Sequence, residues 1–171
     1  MATAFSEKKK RTRSRKHFLY YFPDGFRDET YIDWERDYKW AAHEEWEVQL
    51  NKREYTRLLK AREFEEISHR AVRIETRTNL LFSFEKMALR DAIKGRGAKE
   101  FSEGLYEYVY GSGAVRSRFE AFTQVLENLP RKQTRVLTWP LQTVFGMIGD
   151  PDNHIFLKPV VTKRAATEYG F

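Results

Sequence analysis

One carboxylate in this sequence has no obvious partner. Glu85 falls on an apolar seam through Phe64, Ile67, Ala71, Ile74, Thr78, Leu81, Glu85, Ala88 and Ala92, spaced by alternating threes and fours. Its neighbours four residues away are Leu81 and Leu89, and those three away are Phe82 and Ala88. No cation on its own helix face can pair with it. A carboxylate taken from water without a partner is costly or titrates upward. That environment makes a general acid or base, with Asn79, Lys86 and Arg77 close along the chain to assist. The competing reading is a structural bond from Glu85 to an arginine or tyrosine of another helix, since structural networks perturb carboxylates too. The spacing leaves both open.

The second chemical feature is a run of cations. Residues 7–17 hold Lys8, Lys9, Lys10, Arg11, Arg13, Arg15 and Lys16 against a single acid, Glu7. This accounts for the whole net charge of +6; residues 18–171 carry 24 basic and 24 acidic side chains. Such density binds phosphate backbones without sequence preference and with strong salt dependence. Phe18, Tyr20, Tyr21 and Phe22 follow at once and can stack on bases. A solubilising arm, a localisation signal or attraction to an anionic membrane surface would use the same residues. Beyond the run, residues 18–68 are acidic (8 basic, 13 acidic) and residues 69–171 basic (16 and 11).

Weaker constellations remain. Gly111-Ser112-Gly113, followed by Arg116 and Arg118, outlines an anion site, because helix N-terminal N–H groups attract phosphate. No GK[ST] follows, so it is not a P-loop, and an ordinary glycine-capped loop has the same pattern. Residues 131–135 (RKQTR) form a small basic linker. Asp33, Glu35, Asp37, Glu44, Glu45 and Glu47 alternate with Trp34, Trp40 and Trp46; this reads as a solvated acidic face, or as a surface for a protein partner. The four histidines form no HxH or HxxxH pair, and cysteine is absent. Thiolate sites, disulfides and cysteine nucleophiles are therefore excluded, no metal or cofactor is implied, and a reducing, cytoplasmic setting is expected.

These residues need elements to hold them. A chain of 171 residues with 41% hydrophobic and 15% aromatic side chains is rich enough to bury one core. The longest mostly apolar run, residues 80–89, is too short to span a membrane. No apolar core follows the N-terminal basic residues, unlike a secretory signal. Periodicity predicts a long central helix over 62–94, stopped at Gly95, with shorter helices over 29–50, 52–60, 98–110 and 115–129. Thr30 with Asp33 predicts the cap of the first of these. Thr138 before Pro140 predicts the cap of another helix running to about Ile148. Residues 18–26 are expected to be extended. Residues 154–161 form the one strand-like run, which Pro159 keeps from being a central strand, and Thr162 is expected to cap a last helix.

The expected fold is all-α: a basic flexible arm over residues 1–16, then a single compact multi-helix domain over 17–171 around the long helix, with at most one short strand-like segment. The expected function is non-catalytic association with nucleic acid through the arm. The alternatives are an enzyme or small-ligand domain with a polar site around Glu85, and a helical protein-interaction module using residues 31–47.

Overall fold

The computed structural model describes residues 2–130 and 137–169, with side chains from Lys9 onward. The basic linker at 131–135 and the side chain of Lys8 lie outside the described residues. The fold is all-α; among the described residues there is no strand. Contacts group the chain into two units, one of Met1–Tyr38 with Lys158–Phe171 and one of Lys39–Leu157. The boundary expected after residue 16 does not coincide with either edge of these units.

In the first unit, α1 spans Ala2–Tyr21. The segment expected to be a flexible arm running into extended chain is thus helical through Tyr21. Its last turn supplies Phe18, which packs with Phe22, Phe26 and Tyr31 at centroid distances of 5.0–5.8 Å. Asp28 caps α2 (Glu29–Tyr31), accepting from the N–H groups of Thr30 and Tyr31. The cap predicted at Thr30 therefore falls two residues earlier, on an equally suitable side chain. A π-helical turn, Ile32–Arg36, continues α2. The strand-like run is not a strand: residues 154–158 are irregular, and α10 (Pro159–Tyr169) begins at the proline. Pro fits the first helical turn, where its missing N–H is not needed. α10 packs on α1.

The second unit holds α3 (Asp37–Gln49) from Lys39 onward, with α4 (Lys52–Lys60), α5 (Phe64–Thr76), α6 (Ser83–Ala92), α7 (Arg96–Tyr110), α8 (Val115–Asn128) and α9 (Trp139–Gly149). The long helix expected over 62–94 is broken into α5 and α6 at residues 77–82. Leu80 and Leu81 explain the break, for both are buried. Successive side chains on a helix point about 100° apart, whereas a non-helical link lets adjacent leucines both turn inward. Thr78 helps to end α5: its hydroxyl donates to the Glu75 carbonyl at 2.8 Å and accepts from the Leu80 N–H at 3.3 Å.

The central position passes to α7, which packs against α4, α5, α8 and α9. Its inward residues Phe101, Leu105, Tyr108 and Val109 are the ones the period predicted. Gly95 precedes it with φ of +56°, a conformation that strains any other residue. In α9, Pro140–Gly146 are all buried, as expected of a helix apolar on nearly every side. The Thr138 hydroxyl accepts from the Leu141 N–H at 3.4 Å, as the sequence predicted.

Candidate nucleic-acid interface and the buried carboxylates

Folding α1 as a helix sorts its cations. At 100° per residue, Lys9, Arg13, Lys16 and Tyr20 share one stripe, while Phe18 and Phe22 fall on the opposite side. All four stripe residues are exposed. From Lys9 to Tyr20 the stripe rises roughly 16 Å at 1.5 Å per residue. Arg15 and Lys10 are exposed as well. Arg11 is held differently: its Nε donates to the Tyr169 carbonyl of α10 at 2.8 Å.

Beside the stripe, α1 and α10 form a groove of about 870 Å³. Arg13, Lys16, His17 and Arg164 line it, with Glu168 the acidic residue among its lining. Tyr21 and Tyr169 add aromatic surface. The His17 ring stands edge-on to Tyr21 at 5.2 Å. Cations and aromatic rings thus alternate along one surface, the combination that follows a phosphate backbone and stacks bases.

The Glu85 carboxylate has a hydrogen-bond partner at each oxygen. Glu85 is buried. One carboxylate oxygen accepts from the Phe82 N–H at the start of α6, at 2.9 Å. The other accepts from the hydroxyl of Thr138, the cap of α9. Glu85 therefore ties the first turns of two helices together. Asn79 is exposed. Lys86 does not join Glu85: its Nζ donates to the Thr78 carbonyl at 2.8 Å and lies 3.4 Å from Glu75.

Sequence reasoning passed over Glu75, the most deeply buried carboxylate among the described residues, at 1% exposure. Its Oε2 has no hydrogen-bond partner. Burial pushes its pKa up, and the nearby Lys86 ammonium opposes that. The signal was present, since Glu75 sits four residues after Ala71 and three before Thr78 on the same seam. His154 was likewise missed as a buried group. Its ring packs edge-on against Tyr108 at 4.7 Å, and its Nε2 lies 4.0 Å from Asp150.

The arginines expected to build an anion site after Gly113 have other partners. Arg116 pairs with Glu120 at 2.8 Å. Arg118 donates to the carbonyls of Tyr108 and Val109, at 2.7 and 3.0 Å, and so closes the C-terminal end of α7. Ser112 and Gly113 are exposed. Of the tryptophans in the acidic aromatic segment, Trp34 is 62% and Trp40 46% exposed, whereas Trp46 is fully buried. Among the described residues no cluster of histidine, aspartate or glutamate has a metal-binding arrangement, and no helix is long and apolar enough to cross a membrane. Comparison of the chain with known protein families, curated proteins and solved structures finds no match.

Proposed function

We propose that this chain is a non-catalytic nucleic-acid-binding protein of a reducing compartment such as the cytoplasm, and that α1 supplies its phosphate contacts. The observation that carries this reading is the exposed stripe of Lys9, Arg13, Lys16 and Tyr20 beside the basic, aromatic groove to α10. Three cations at i, i+4 and i+7 meet one backbone together, and the adjoining rings offer stacking faces that tolerate any base. The neutral charge balance of the remaining chain leaves α1 as the electrostatic contact. Weighing against the Glu85 alternative, both of its oxygens already accept bonds, one from the Phe82 N–H and one from the Thr138 hydroxyl.

The test is fluorescence anisotropy with a labelled single-stranded oligonucleotide across a salt series, comparing the intact chain with Lys9→Gln/Arg13→Gln/Lys16→Gln. Neutralising three phosphate contacts should lower the slope of log affinity against log salt by about 2, at roughly 0.7 per contact for single strands. Identical slopes and affinities would sink the reading. Exposure of Trp34 and Trp40 favours a second reading, a protein-interaction module, which predicts no oligonucleotide binding by either chain.

A further inference from the structure

In the second unit, α5, the end of α6 and the turn after it flank an open groove of about 600 Å³, within the roughly 300–1,000 Å³ of small-molecule sites. Val72 and Ile93, each only 8% exposed, form apolar lining. Arg73 and Arg90 also line it. Arg90 donates to the Thr76 hydroxyl at 3.0 Å, and that hydroxyl donates to the Val72 carbonyl at 2.7 Å. Arg73 donates to the side-chain oxygen of Gln49. Both acceptors are neutral. They orient the guanidinium groups without neutralising them, and each keeps further N–H donors for a ligand. Glu66 on α5 also acts on Arg73 through space, but it accepts its own hydrogen bond from Arg70. Arg77 and Lys94 line the same groove but meet Glu45 and Asp91. Glu65 is the acidic residue of the lining.

We infer that this groove binds an amphipathic organic anion, with its anionic head on Arg73 and Arg90 and its apolar body on Val72 and Ile93. Charge complementarity selects the head, since oriented guanidinium groups match the oxygens of phosphate or carboxylate. The lining selects the body, because inorganic anions leave Val72 and Ile93 uncovered. The site uses no residue of α1 and is independent of the nucleic-acid reading.

Titration calorimetry on the intact chain tests it with ethyl, butyl and hexyl phosphate, hexanoate, hexanol and inorganic phosphate. Hexyl phosphate should saturate a single site, and affinity should rise with chain length by up to about fourfold per buried methylene. Hexanoate binding as well would mean that any anionic head suffices; failure of hexanoate alone would narrow the head to phosphate. Arg73→Gln/Arg90→Gln should weaken hexyl phosphate by roughly tenfold or more, with the circular dichroism spectrum unchanged. The chain-length series depends on no variant and stands if the double variant misfolds. The inference is overturned if hexyl phosphate shows no saturable binding, if inorganic phosphate or hexanol binds as tightly, or if a folded double variant binds equally well.

Discussion

Glu85 spends both carboxylate oxygens on helix starts, one on the Phe82 N–H and one on the Thr138 hydroxyl. Truncation as Glu85→Ala orphans both donors and should cost about 1–3 kcal/mol, read from urea denaturation. A variant as stable as the parent would show that the bridge contributes nothing. The burial of Glu85 was legible from its place on the seam, but its partner on α9 was not, for Thr138 stands 53 positions away and local spacing carries no such information. His154 makes a pH prediction. Burial holds its pKa below the ordinary value of 6.5; Asp150 pulls it up by less, and Arg118 pushes it down. The fold thus prefers the neutral ring, and the unfolded chain takes up a proton first. The stability from His154 is present above the unfolded pKa and is lost as pH falls through 6.5 toward the folded value. Urea midpoints at pH 7.5 and pH 5.5 should differ less for His154→Gln than for the parent; an equal difference would assign the acid loss elsewhere. Glu75, whose pKa is raised by burial, acts in the opposite sense, with its contribution present below its unfolded pKa and lost as pH rises through the folded one.

Among the elements, α4 was legible to the residue, because Tyr55, Leu58 and Leu59 fall on one helical face; Tyr55 and Leu58 are buried and Leu59 half-buried. The break between α5 and α6 was not. Residues 77–82 contain no glycine or proline, and the seam stays in phase across them, so periodicity alone reads straight through. What ends α5 is burial of adjacent leucines against the rest of the unit, a tertiary demand that overrides the local pattern. The helicity of α1 was illegible for the opposite reason. Its basic half has no apolar period, and like charges disfavour an isolated helix. The packing of α10 along it supplies the missing support. Deleting residues 159–171 should therefore cost more helix, by far-ultraviolet circular dichroism, than the 11 residues of α10 itself. A loss confined to those residues would mean that α1 stands alone.

At the scale of the whole molecule, burial is uneven. Among the described residues every buried apolar side chain lies between Ala42 and Ile148. Stability follows buried apolar area, so Met1–Tyr38 with Lys158–Phe171 should open at lower cost than Lys39–Leu157. Limited trypsin digestion followed by mass spectrometry should cut first at the basic residues of α1 and α10, leaving a protected fragment within residues 39–157. First cleavage inside α5 or α7 would contradict this. The same unevenness gives the chain two built-in optical reporters. Trp46 is sealed from solvent, with its indole N–H donating to the Tyr110 hydroxyl at 2.9 Å, while Trp34, Trp40 and Trp139 face outward. Iodide in the buffer should darken the three outer indoles and leave a short-wavelength emission from Trp46. That residual light follows the melting of the Lys39–Leu157 core and is silent to whatever α1 does.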